Sequence, residues 1–261
     1  MKYSKAKIFK AVAVLVLVVV VFLSLGKFRS TTCREIAITV LDSSEVNFIN
    51  RDSVYRMIYS VSSSILGHNL DSVNTYQLDS QLRKCPYIRK VALYKSITGV
   101  LHIDVMQRRP LLMVLNGNQN YYIDSDGVIF AANKGNACQC IVVNGYVTDK
   151  YDFSGDKVYK VDIANGSGQT SDLFKLARQI YYDDFWCDQV EQIYINKLGE
   201  YEMVPMVGSY VLALGDIEDY DKKLFTLKQF YFKALPKIGW NRYQQISVKY
   251  KNQIVCKYKT K

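Results

Sequence analysis

Apolar residues run without interruption from Ala11 to Leu23, and the stretch to Leu25 adds only one hydroxyl, Ser24. No other part of the chain is as apolar for as long. Ile8 and Phe9 extend the run on one side of Lys10, which can snorkel, and Phe28 extends it on the other. Counted over 8–28, the helix would be about 30 Å long and would cross a bilayer. Beyond it the pattern becomes alternating. Ile36, Ile38 and Val40 share one face of a strand within 34–41. Val54, Met57, Ile58 and Val61 recur at helical spacing behind Asn50 or Asp52 as cap. A second helix starts near Asn74-Thr75, buries Leu78 and Leu82, and stops before Pro86. Val91 and Leu93, then Leu101, Ile103 and Val105, alternate on either side of Thr98-Gly99, which reads as a hairpin. The predicted order is strand, helix, helix, strand, strand.

From Pro110 onward, short strands predominate: 112–115, 121–123, 128–130, 141–143, 190–196, 201–203, 210–214, and 246–250 with 254–258. Two helices interrupt them. One follows Thr170 or Ser171 as cap and carries Leu173, Phe174, Leu176, Ala177, Ile180 and Tyr181 on one side. The other runs over 219–235 and is stopped by Pro236. Asp124-Ser125-Asp126-Gly127 reads as a hairpin turn. A calcium-loop frame would put Tyr122 and Asn133 at its end positions, and neither is an adequate ligand. The expected fold class is α+β: one N-terminal transmembrane helix, a β-α-α-β-β module, then a mostly antiparallel β domain with two helices. The expected boundaries are a basic stub over 1–7, the span over 8–28, the small module over 33–108, and the β domain over 109–261.

Charge sets the orientation. Lys2, Lys5, Lys7 and Lys10 precede the apolar run and no acid does, which favours a cytoplasmic N-terminus and an exported remainder. The alternative is a cleaved signal ending at Ser24-Leu25-Gly26, but the run is long for that and Lys27 and Arg29 follow at once. The net charge of +10 points to anionic lipid or an acidic protein partner, since an exported domain rarely meets nucleic acid. Six cysteines in an exported domain permit disulfides. Their pairing is not legible, and most read as small core residues. Cys138-Gln-Cys140 lacks the C-x-x-C spacing of redox or zinc sites. Only two histidines, His68 and His102, are available, and both read as surface residues. There is no G-x-S-x-G, no H-E-x-x-H and no phosphate-binding glycine loop. Neither an enzyme nor a cofactor is expected.

The stretch LRKCPYIRKVAL from Leu82 to Leu93, followed by LHIDVMQRRP from Leu101 to Pro110, resembles the POTRA module, with Gln107 where that family has an acid. With this module behind a basic stub and one span, and a run FYFKALPKIGW from Phe230 to Trp240 that looks like a Bacteroidetes version, the chain over its full length resembles FtsQ/DivIB, the single-span bacterial cell-division family. The residues that carry this are Arg109-Pro110-Leu111, YIDSDGVIF from Tyr122 to Phe130, the Lys-rich helix near Lys223, and ISVKY from Ile246 to Tyr250. The resemblance implies a non-enzymatic divisome scaffold in the inner membrane, concentrated at the septum, with its C-terminal domain in the periplasm. It implies binding of FtsB-like and FtsL-like proteins by strand addition, with other septal proteins contacting the POTRA module and the span. No small-molecule substrate is implied. By position, the partner site would comprise Val248, Lys249, Tyr250, Ile254 and Val255 on the last strand, with Lys222, Lys223 and Tyr231 on the adjoining helix. Two alternatives remain: a POTRA-bearing export or outer-membrane assembly factor, and a membrane-anchored periplasmic hydrolase.

Overall fold

A computed structural model describes residues 5–25, 31–42, 46–62, 64–117, 119–132, 138–163 and 166–259. The N-terminal helix α1 spans Lys5–Leu25, and its described side chains are Phe9, Lys10 and residues 12–20, all exposed. Among the described residues no helix is long and apolar enough to cross a membrane. The expected span overlaps α1, and residues 26–28 of that expectation lie outside the described residues.

The first module comprises β1 (Glu35–Leu41), α2 (Arg51–Val61), α3 (Thr75–Leu82), β2 (Ile88–Lys95) and β3 (Val100–Gln107). Asn50, not Asp52, caps α2: its carbonyl oxygen accepts the Ser53 N–H at 2.9 Å. Asn74 caps α3 in the same way through the Gln77 N–H. The sheet order is β1-β3-β2, with β1 parallel and β2 antiparallel to β3. Leu101, Ile103 and Val105 of the central strand are fully buried against Val54, Ile58, Leu78 and Leu82. Gln107 ends that strand and is buried. Its Oε1 accepts the N–H groups of Phe48 and Ile49, both at 2.9 Å, and its Nε2 donates to the Val46 carbonyl at 2.8 Å. A carboxylate at this position could accept the first two bonds but could not make the third.

The second module contains β4 (Pro110–Val114), β5 (Tyr121–Asp124), β6 (Val128–Ala131), β7 (Ile141–Gly145), β8 (Tyr159–Lys160), α4 (Gln169–Tyr181), β9 (Val190–Ile195), β10 (Tyr201–Pro205), β11 (Val211–Gly215), α5 (Tyr220–Lys233), α6 (Leu235–Ile238), β12 (Tyr243–Ser247) and β13 (Val255–Tyr258). Its ten strands form one sheet in the order β13-β12-β11-β10-β9-β7-β4-β5-β6-β8. Six neighbouring pairs are antiparallel. Three are parallel: β4 with β7, β7 with β9, and β11 with β12. The β11–β12 pair needs a crossover, which α5 and α6 supply.

Several local expectations are corrected. Gly168, not Thr170 or Ser171, is the residue before α4. Both hydroxyl residues are buried in the first turn, where Thr170 donates to Asp149 at 2.6 Å. Pro236 does more than end α5: it sits in the first turn of the short helix α6, where a missing N–H costs nothing. Strand β8 carries no alternating pattern long enough to be read. All six cysteines are free. Cys33 is buried in the first core, Cys85, Cys138 and Cys140 pack against it half-buried, and Cys256 packs against the second core, so only Cys187, which is exposed, departs from the reading of most of them as core residues.

Alternation along β5 and β6 joins the modules. Tyr121, Ile123 and Ile129 enter the core beneath α4, whereas Tyr122 and Phe130 point the other way into the core of the first module. There the Phe48 ring lies 5.3 Å from Tyr87 and from Tyr122, and 6.0 Å edge-on to Phe130. Burial pushes the phenols of Tyr87 and Tyr122 up to about 12. Arg108 donates to the buried Asp124 carboxylate at 2.8 Å and to the Pro86 carbonyl at 2.9 Å. Asp124 also accepts the Asp126 and Val128 N–H groups, closing the Asp-Gly hairpin turn with Gly127 at φ +74.

Candidate functional site

The C-terminal hairpin leaves one long side of the large sheet open. Among the described residues strand β13 pairs with β12 on one side only and ends the strand order. Lys259 donates its N–H to the Arg242 carbonyl at 3.1 Å. Strand alternation therefore directs the N–H groups of Cys256 and Tyr258 away from β12. Val255 and Tyr258 are exposed, and the Tyr258 ring lies tilted against Tyr243 with centroids 5.1 Å apart.

Beside this edge, the turn 248–253 and the start of α5 enclose a cavity of about 340 Å³. Asp219 begins α5 from a left-handed conformation (φ 49) and holds Lys222 at 2.7 Å. Lys223 folds back on Asp216 at 2.5 Å. Lys249 crosses Gly215, where a Cβ would lie 2.9 Å from its Cγ, and pairs with Glu200. These partners lower the Glu200 carboxyl through the Lys249 hydrogen bond and the Asp219 carboxyl through that of Lys222. Among the described residues Lys251, Lys257 and Lys259 make no ion pair; Lys251 acts at longer range on Asp219, while Lys257 and Lys259 carry unneutralised charge. A second cleft of about 350 Å³ lies between Glu202, Gln245, Tyr250 and Lys257 on the polar sheet face.

The expected partner residues divide into two groups. Lys222, Lys223, Lys249, Tyr250, Ile254 and Val255 do gather at this corner. Tyr250 is 51% exposed, and Lys223 is largely covered by its pairing. Val248 and Tyr231 do not face outward: they are 3% and 2% exposed and belong to the core. Tyr231 accepts the Tyr210 hydroxyl at 3.0 Å and packs edge-on against Phe185, Trp186 and Trp240. Residues 248–254 form the turn, not the edge strand. The residues missed are Cys256, Lys257 and Tyr258, whose alternation was legible but whose place at the end of the strand order was not. Glu200 comes from another hairpin and gave no signal. Among the described residues no cluster of three or more His, Cys, Asp or Glu side chains could hold a metal ion.

The fold defines a two-module α+β protein in which a small three-stranded module is locked to a large sheet with an open, lysine-flanked edge. A family model described as FtsQ/DivIB, C-terminal related, matches residues 109–257, and a POTRA-like domain matches residues 31–106. The chain belongs to the FtsQ/DivIB family. That family assigns it to the bacterial division machinery, membrane-associated and with protein partners there, and the family's role is in general that of a non-enzymatic scaffold. No curated protein matches the chain.

Proposed function

We propose that this chain is a divisome scaffold, anchored by α1 in the inner membrane as a single-pass type II protein. Its modules over 33–108 and 109–261 work in the periplasm at the septum. The open edge of β13, flanked by unneutralised lysines, carries this reading. A partner strand laid along it would take up the outward N–H and carbonyl groups, with affinity from the main chain and selectivity from Tyr250, Val255 and Tyr258. Acidic partner residues would meet Lys251, Lys257 and Lys259. The occupant is an FtsB–FtsL-like subcomplex, and its capture regulates septal peptidoglycan synthesis.

The anchor is supported by the sequence of α1: 21 residues at 1.5 Å rise run about 31 Å, and residues 12–20 contain only Val, Leu and Ala13. Two substitutions test the edge. Cys256→Pro removes an outward donor and is tolerated on an edge strand, and Tyr250→Glu places a carboxylate where an acidic partner would dock. Each is expected to weaken capture of the FtsB–FtsL-like pair by roughly tenfold or more, about 1.4 kcal/mol. Capture unchanged by a folded Cys256→Pro chain overturns strand addition at β13.

A further inference from the structure

The end of the first module nearest the anchor is built from three short segments that share backbone hydrogen bonds. Thr31 accepts the Leu70 N–H at 2.7 Å, Cys33 exchanges bonds with His68 and Gly67 at 2.8 Å, and Arg34 donates to Gly99 at 2.8 Å. Gly99 is required there: a Cβ would lie 2.6 Å from the Thr32 carbonyl oxygen. The loop 66–69 and the β2–β3 turn 96–99 therefore flank the segment that arrives from α1. Each presents a large apolar side chain to solvent: Leu66 is 44% exposed and Ile97 is 95% exposed, the highest among the exposed hydrophobic residues. Tyr94 is half exposed beside them, and Arg34 and Lys95 are exposed cations. Segments 31–34, 66–69 and 94–99 contain no acid, but the exposed Glu35 and Asp71 border them, and Lys95 donates to the Asp71 carbonyl at 3.3 Å.

Apolar tips, an amphipathic tyrosine and flanking cations are the side-chain set that suits a lipid headgroup layer. Chain length commits the surface to that occupant. Only residues 26–30 separate Leu25 from Thr31, so Thr31 lies at most about 20 Å from the end of α1. We infer that this end of the POTRA-like module rests in the headgroup layer, with Ile97 and Leu66 dipping to the acyl boundary and Arg34 and Lys95 on lipid phosphates. The inference rests on α1 being the anchor. It goes further by making the module a membrane-seated element of fixed orientation rather than a tethered one.

The test uses the full chain in vesicles of phosphatidylethanolamine and phosphatidylglycerol, with photoreactive benzoylphenylalanine placed at Ile97 or, separately, at Leu198. Leu198 is 79% exposed in the β9–β10 turn of the large sheet. Neither replacement touches the core. Illumination is expected to give a lipid adduct at Ile97 and none at Leu198. A chain that resists alkaline carbonate extraction but gives no adduct at Ile97, or equal adducts at both positions, overturns the seat alone. A chain released by carbonate overturns the anchor and the seat together.

Discussion

Replacing Gln107 with leucine isolates the bond set that fixes the 46–49 loop. The side chain is 1% exposed and makes three hydrogen bonds with backbone groups of Val46, Phe48 and Ile49. Leucine fills a similar volume but pairs with none of them. Each orphaned buried group costs about 1–3 kcal/mol. Burying leucine in place of an amide returns about 1 kcal/mol, which, with three groups orphaned, leaves a net loss of roughly 2–8 kcal/mol. That is a large fraction of a small domain's stability and should lower Tm by several degrees or more. The loss should also spread, because the loop carries Phe48, the ring that packs between the modules. Scanning calorimetry of the full chain in detergent gives Tm, and hydrogen exchange reads the Phe48 and Ile49 amides, which should lose protection in the variant. A Gln107→Leu chain that melts within about 2 °C of the parent, with both amides still protected, refutes the reasoning.

Two further outcomes can be measured on the same chain. Gly145→Ala should cost about 3 kcal/mol or more in chemical denaturation, because φ is +101 and the new Cβ would lie 2.2 Å from the Ile195 carbonyl oxygen in the β7–β9 pair. Gly67→Ala, at φ +80 in open space, should cost only about 1 kcal/mol, and equal losses would exclude the steric cause. At Asp183, burial pushes the carboxyl up, but the Lys228 hydrogen bond and the Trp186 and Phe185 N–H groups outweigh it, so the carboxyl lies below its ordinary value. A depressed carboxyl stabilises the fold above its unfolded pKa, near 4, and loses that contribution as pH falls through the folded value. Asp183→Asn should therefore cost about 1 kcal/mol at neutral pH, discounted for partial exposure, and should flatten the acid limb of the stability profile. An unchanged acid limb would sink this assignment.

The sequence by itself determined what short-range physics controls. Periodicity marked the two helices and three strands of the first module, side-chain chemistry placed the second helix start near Asn74-Thr75 and narrowed the first cap to Asn50 or Asp52, and the Asp-Gly hairpin followed from the turn it requires. The full-length motif order was enough to point to the family. Tertiary structure alone decided which strands lie side by side. Alternation shows that Ile254, Cys256 and Tyr258 share a strand face, yet the place of β13 at the end of the sheet depends on a crossover through α5 and α6 that no local pattern encodes. The same limit explains Val248 and Tyr231. At their positions burial depends on what another element brings, here Tyr210 and the Trp186 cluster against Tyr231, so residues adjacent in sequence divide between core and edge. Gln107 shows the reverse dependence: its departure from the family's acid was visible at once, but its reason, a third bond to Val46 that a carboxylate cannot make, exists only once a loop some sixty residues earlier in the chain has folded over it.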